Sequence, residues 1–270
     1  MFSFRRVIAG GLGAAAVAAS AKNYSEAEGL RMGIFAPPGG GKGTVCANLT
    51  RDFGLVQIST GDLLRAAKKE GTPLGLKAKS YMEAGELVPA DLIHEIVAEA
   101  LMDPEVIEKG FILDGVCRSK ANSEFIVERG LTPDLCLILD VSEECVVDRL
   151  GGRIIDPVTK ESYSTKHEHL KPPTPEIAAR CIVRKDDQPE AIKKRFDLFQ
   201  KGLKPVLSAF PPGIIKKIDG EGHPTEVYSR VVGKVNETIA HKKMEALFQK
   251  GADPKSMIQA LEGLEQVMSK

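Results

Sequence analysis

Short apolar runs alternate along most of the chain with longer stretches in which apolar and polar residues recur at helical spacing. The runs at 31–36, 55–58, 111–114, 135–141 and 214–218 are rich in Ile, Leu and Val and too brief for buried helices, so they read as strands. Helices are expected to begin near Lys42, Gly61, Pro89, Ser142 and Gln188. Strand followed by amphipathic helix, repeated, is the pattern of βαβ units and predicts an α/β fold with a parallel sheet. No internal repeat cuts across this order. The pattern changes between residues 152 and 184, where Pro157, Pro172, Pro173 and Pro175 stand among Lys, His and Ser residues. An insertion of that length in a compact domain reads as a lid. Beyond Ala240 the chain continues as a further amphipathic segment.

A hydrophobic fraction of 43 % is enough for a sizeable core, and 37 basic residues balance 37 acidic ones. With zero formal net charge, no global field draws the chain to nucleic acid or to an anionic membrane. Any anion binding has to come from a local cluster, and nucleic acid is not expected as a partner. The five cysteines, Cys46, Cys117, Cys136, Cys145 and Cys181, are odd in number and never spaced as CxxC. That argues against a disulfide framework or a zinc site and favours a reducing compartment. Residues 1–29 differ from the rest: Arg5 and Arg6 precede an uncharged Ala- and Gly-rich run, and the first acid is Glu26. This is read as a targeting or anchor segment. Its basic, acid-poor character favours an organellar transit peptide. A membrane anchor, a secretory signal ending at Ala19-Ser20-Ala21 and a plain tail are the alternatives.

The strongest local signal is Ala36-Pro-Pro-Gly-Gly-Gly-Lys-Gly-Thr44, between an expected strand and an expected helix. Gly39, Gly40 and Gly41 let the backbone fold tightly and aim its N–H groups at phosphate oxygens, and the helix start adds its partial positive charge. Lys42 would reach the β and γ phosphates. The loop departs from GxxxxGK[ST] twice, with Ala36 for the first Gly and Gly43 after the lysine.

Gly-Lys-Gly-Thr is the form used by adenylate kinases and their nucleoside monophosphate kinase relatives, and residues 31–240 resemble the long-lid members of that family throughout. Ile58-Ser-Thr-Gly-Asp-Leu-Leu-Arg65 resembles the entry to the monophosphate site, and Met82-Glu-Ala-Gly-Glu-Leu-Val88 the segment that wraps adenine. Gly110-Phe-Ile-Leu-Asp-Gly115 with Arg118 resembles the strand and turn that hold Mg²⁺ and the AMP phosphate. Val147-Asp-Arg-Leu-Gly-Gly-Arg153 resembles the hinge into the lid, and Arg184-Lys-Asp-Asp187 with Arg195 its return. The resemblance implies a P-loop NTPase-like core with a five-stranded parallel sheet, plus an NMP-binding insertion at 59–88 and a lid at 152–187, all within a domain at 30–241. It implies reversible transfer of a phosphoryl group between ATP and AMP.

Site residues follow from the same resemblance. On the ATP side it places Gly39, Gly40, Gly41, Lys42, Gly43, Thr44, Arg149, Arg153, Ser162, Tyr163 and Gly222. On the AMP side it places Thr60, Arg65, Met82, Glu86, Leu87, Val88, Gly115, Arg118, Asn122, Arg184 and Arg195. Lys42, Arg118, Arg153, Arg184, Arg195, Asp186 and Asp187 carry the transfer, and Asp114 holds Mg²⁺ through water. Phosphoryl transfer needs positioning and charge stabilisation more than covalent chemistry, and the planar fork of Arg can give two hydrogen bonds to one phosphate. No zinc is expected, because the lid has only Cys181, and His167 and His169 read as solvated surface. Hydrogen bonds involving Asp156 and Thr159 are expected to hold the lid instead.

The departures from the family lie on the monophosphate side. Asp114-Gly-Val-Cys-Arg118 stands where the family reads Asp-Gly-Phe-Pro-Arg, so the turn that aims Arg118 loses a proline constraint. Asn122 stands where a Gln usually reads adenine, with the same donor and acceptor on a shorter arm. Glu86 replaces a commoner Lys or Gln. Two alternatives stay open beside AMP: another monophosphate such as GMP as acceptor, or a catalytically weak structural subunit that retains the fold. An ATP-using enzyme with unpaired cysteines fits a mitochondrion or another organelle. The chain is expected to be a monomer. At 242–270, Asp253-Pro254 reads as a helix start, followed by an apolar stripe of Met257, Ile258, Leu261, Leu264 and Met268 that packs locally or docks a partner.

Overall fold

The computed structural model describes residues 29–84, 88–159, 161–183, 187–249, 251 and 253. The expected targeting segment and the expected helix after Asp253 lie outside them. The chain runs β1 (Arg31–Phe35), α1 (Lys42–Phe53), β2 (Val56–Ser59), α2 (Thr60–Glu70), α3 (Pro73–Ala84), α4 (Ala90–Leu101), α5 (Pro104–Lys109) and β3 (Phe111–Asp114). It continues with α6 (Lys120–Glu128), β4 (Leu135–Asp140), α7 (Glu143–Gly151), β5 (Arg153–Ile155), β6 (Ser162–Ser164) and α8 (Pro175–Arg180). The last elements are α9 (Pro189–Leu207), β7 (Ile215–Asp219) and α10 (Pro224–Gln249).

Five strands form one parallel sheet in the order β2-β3-β1-β4-β7. The central strands β3, β1 and β4 are buried on both faces, which is why those runs are almost wholly apolar, whereas the edge strand β7 exposes Lys216, Lys217 and Asp219. The period of two still sorts the side chains. Leu135, Leu137 and Leu139 of β4 join Met32, Ile34 and Ile112 under α1 and α10, while Cys136 and Ile138 point to the other face with Phe111 and Leu113. There they meet Leu63 and Leu64 of α2, Ile96 and Val97 of α4, Ile126 of α6 and Val206 of α9.

All five parallel strands end at one edge of the sheet, and the loops that leave them gather there. Ligands of open α/β sheets bind outside this carboxyl edge. Several scaffold helices start on a side-chain cap: Ser119 accepts from the Asn122 amide, Ser142 from Cys145 and Asp103 from Glu105. Helix α1 does not, since its preceding residue is Gly41 and no side chain caps it.

The insertion after α7 is a small unit of its own. β5 and β6 pair antiparallel, Arg153 opposite Ser164, and Ile155 and Ile182 exchange two backbone hydrogen bonds of 2.9 Å. Asp156, fully buried, knits the unit together. Its carboxylate accepts from the Val158 amide (2.9 Å), from Thr159 Oγ1 (3.0 Å), and from Arg180 Nε and Nη2 (2.8 and 2.5 Å). The Asp156–Thr159 bond is the one expected from the sequence; the Arg180 fork was not foreseen. Arg180 holds the Asp156 carboxyl well below the usual carboxylate range.

The expected boundary at 241 falls inside α10, which runs unbroken to Gln249. Val227, Val231 and Val235 bury one face at helical spacing, and Lys242 reaches Asp134 at 2.8 Å, beside the Asp134 contact to the Arg31 amide. The helix is therefore fastened to the core past the point where the sequence suggests a new segment. Among the described residues, no helix is long and apolar enough to cross a membrane.

Candidate active site

Gly39 and Gly41 adopt φ of 74° and 83°, a left-handed conformation that L side chains rarely take. A Cβ on Gly39 would also lie 2.7 Å from Leu150 of α7. Gly40 is confined differently: the Ala36 methyl lies 3.0 Å from where its Cβ would stand. The loop thus tolerates Ala36, a departure from the usual motif, because Gly40 has no side chain. The first helical hydrogen bond of α1 runs from the Val45 amide to the Gly41 carbonyl (3.1 Å). The amides of residues 42–44 make no backbone hydrogen bond among the described residues, and they point out of a helix start whose dipole favours anions. Gly43 has nothing within 4 Å of its would-be Cβ, so the mouth beside Lys42 is open.

Lys42 Nζ is paired with Asp114 Oδ1 at the end of β3. Gln57 of β2, one strand over, donates to Asp114 Oδ2 at 2.7 Å. Gln57 went unremarked in the sequence, where a single amide on a strand has no periodic signal. Behind the lysine, burial pushes the Cys46 thiol up to about 12, with the Asp114 charge adding to the effect. Burial also pushes Cys117 up to about 12 and raises Cys136. Cys145 and Cys181 are half-exposed. In the native chain a thiol reagent is expected to modify the half-exposed Cys145 and Cys181 before the buried Cys46 and Cys117, whose thiolates burial disfavours. Mass-spectrometric site counts with and without denaturant check this.

Most of the expected arginines are engaged by acceptors close to them. Arg149 Nη2 donates to the Gly220 carbonyl (3.0 Å). Arg153 grips buried Asp187 with Nε at 2.7 Å and Nη2 at 2.5 Å, and Arg195 Nη1 lies 3.7 Å from the same carboxylate. Arg118 is exposed and donates to the Gly115 carbonyl (2.9 Å), and exposed Arg65 pairs with Asp62 at 2.5 Å. Thr60 Oγ1 donates to the same Gly115 carbonyl (3.2 Å), so α2 and Arg118 share one anchor. Where the family has proline, buried Cys117 sits in a turn closed by the Arg118 amide on the Val116 carbonyl (3.1 Å). Asn122 is buried with its carboxamide engaged at both ends, Nδ2 on the Val116 carbonyl (3.0 Å) and Oδ1 on His94 Nε2 (3.1 Å).

Other expected positions lie on the core and on the lid unit. Val88 packs on the core, Gly222 (φ 96°) follows β7, Ser162 and Tyr163 lie on β6, and Tyr163 Oη donates to Glu161 at 2.5 Å. Met82 lies in α3, while Glu86, Leu87, Arg184 and Asp186 fall outside the described residues. His167, taken as surface, stands 3.0 Å from Asp148, and His169 faces His223 at 4.7 Å between ring centres. Among the described residues no group of three or more His, Cys, Asp or Glu side chains could hold a metal by itself.

A family model described as adenylate kinase matches residues 34–213, which spans the cradle, the arginines and the lid. The chain belongs to the adenylate kinase family. Its relatives include the adenylate kinase of Streptococcus pyogenes serotype M1, 38 % identical over 207 residues, 75 % of this chain and 95 % of that one. The chloroplastic adenylate kinase of Zea mays is 35 % identical over 219 residues, 81 % of this chain and 97 % of that one. A probable chloroplastic adenylate kinase 2 of Oryza sativa subsp. japonica is 35 % identical over 217 residues, 80 % of this chain and 74 % of that one. As a member of the adenylate kinase family, the chain is a phosphotransferase of adenine nucleotide interconversion. The five-stranded sheet agrees with the α/β architecture expected from the sequence.

Proposed function

We propose that this kinase carries out ATP + AMP = 2 ADP with the residues gathered at the carboxyl edge of its sheet. The observation that carries the assignment is the uncapped start of α1, with Lys42 at its first position facing Asp114. The donor's β and γ phosphates take the free amides of residues 42–44, and Lys42 exchanges Asp114 for phosphate oxygens. The Asp114 carboxylate then becomes available to Mg²⁺. A lone carboxylate suits that ion, which keeps several waters and completes its shell with substrate phosphates. When bound, Mg²⁺ neutralises charge on the transferring group. Arg65 and Arg118 hold the acceptor phosphate, while Arg153 and Arg195, both drawn to Asp187, lie where the lid unit meets the core and stabilise the charge in transit. Arg184 and Asp186 join them from the lid's return. Closure of 152–187 excludes water, which would otherwise take the phosphoryl group. An organelle, the mitochondrion among them, is the proposed location. The basic, acid-poor segment 1–29 and the chloroplastic relatives support it.

The decisive measurement is ADP formation from ATP with AMP, GMP, CMP or UMP as acceptor. AMP is expected to give the highest kcat/KM by a factor of at least about ten, the discrimination expected of a site that hydrogen-bonds its substrate's polar groups. A higher value with GMP would reassign the acceptor, and no turnover with any of them would leave a structural subunit.

A further inference from the structure

We infer that His94 is the residue that reads the acceptor's base, with Asn122 as the positioning residue that sets its proton. The inference rests on the AMP-side assignment above and goes beyond it, because the position that usually reads adenine is spent in this chain. The Val116 carbonyl can only accept, so the Asn122 side chain must turn Nδ2 towards it (3.0 Å). That leaves Oδ1, which can also only accept, facing His94 Nε2 at 3.1 Å. Nε2 therefore carries a proton, and in the neutral ring Nδ1 is a bare lone pair. The ring itself is fixed, stacked on Phe125 with 4.1 Å between ring centres and 6° between planes. Asn122 is buried with each end of its carboxamide turned to a protein partner, whereas His94 is half-buried.

These side chains converge on one turn. Thr60 and Arg118 donate to the Gly115 carbonyl, Asn122 to the next carbonyl, and His94 of α4 is joined to Asn122. A base lying against this turn meets an acceptor at His94 Nδ1. Adenine offers an exocyclic 6-amino donor to such an atom; a 6-oxo purine offers an acceptor, and two lone pairs repel. With its proton set on Nε2, the His94 ring thus selects the 6-aminopurine monophosphate over its 6-oxo counterpart.

The test compares AMP with IMP, which differ in the 6-substituent and in the proton that IMP carries on N1, in the full-length chain. AMP is expected to be preferred by about tenfold to a hundredfold in kcat/KM, the cost of leaving a polar group facing the wrong partner. His94→Phe keeps the stack on Phe125 and removes both nitrogens; it is expected to bring the AMP/IMP ratio close to one while the KM for ATP holds. Asn122→Leu frees the tautomer and is expected to lower the ratio by less. A purely structural His94 would change both acceptors and ATP alike. A folded His94→Phe with the wild-type ratio overturns the inference and leaves the AMP assignment intact; no wild-type turnover of AMP overturns both. Should His94→Phe fail to fold, nitrogen NMR of wild-type His94 decides: AMP, and not IMP, is expected to shift the unprotonated Nδ1 resonance, and no shift with AMP refutes the role.

Discussion

Lys42→Met is expected to lower kcat by about a hundredfold to a thousandfold while the chain stays folded. The lysine opens α1 at the base of a cradle whose amides are fixed, and its flexible stem lets its charge follow a moving phosphoryl group. Methionine keeps the length and apolar stem and removes only the charge and its donors. The substitution also strips Asp114 of an ion-pair partner, leaving Gln57 on its other oxygen, so a fall of a few degrees in Tm accompanies the kinetic loss. Steady-state rates at saturating ATP and AMP, with circular dichroism as the check on folding, measure both. A kcat within twofold of wild type in a folded variant would take the lysine out of the transfer step.

Asp187→Ala is the second change with a large expected effect. Asp187 is buried and holds Arg153 by two hydrogen bonds, with Arg195 3.7 Å away. Removing one member of a buried pair leaves the other's charge uncompensated, at roughly 3–5 kcal/mol, or a fall of roughly 10 °C in Tm for a chain of this size. The kinetic loss is expected to reach about a hundredfold, because two arginines lose the group that sets their direction. Asp187→Asn separates the contributions. It retains an acceptor for Arg153 and loses the charge, so it should recover part of the Tm and less of the rate. Equal recovery of both would make the residue a structural anchor alone.

Strands were the most legible part of the fold. A strand covered on both faces must be apolar throughout, and that continuity shows in 135–141 and 111–114 as plainly as in the structure. Shorter helices were not. Pro104–Lys109 and Pro175–Arg180 span less than two turns, too few residues for a hydrophobic period to emerge. The sequence puts a boundary at 241, inside helix α10, because the fully buried valines stop at Val235; Lys242, an ordinary surface charge in the sequence, ties a later turn to Asp134. In the candidate site, the glycines and arginines stand out because their chemistry is tied to phosphate at fixed spacing. Gln57, Arg180 and His94 do not, since each acts on one distant partner and so leaves no pattern along the chain. Asn122 stands out in the sequence as a departure from the family's Gln, and only its three-dimensional neighbours show that its carboxamide is already engaged.

The fork of Arg180 on Asp156 has a kinetic consequence. With Asp156 filled by four hydrogen bonds from its own unit, the 153–182 segment has little internal freedom to lose when it moves. In the closure proposed above it would turn as a plate, with the bending left to the chain outside it. The pace of such a plate is set by the stiffness of its hinge and the drag of the solvent. Substitutions at the hinge would therefore retune how often the site opens to release product without disturbing the surface it presents when shut.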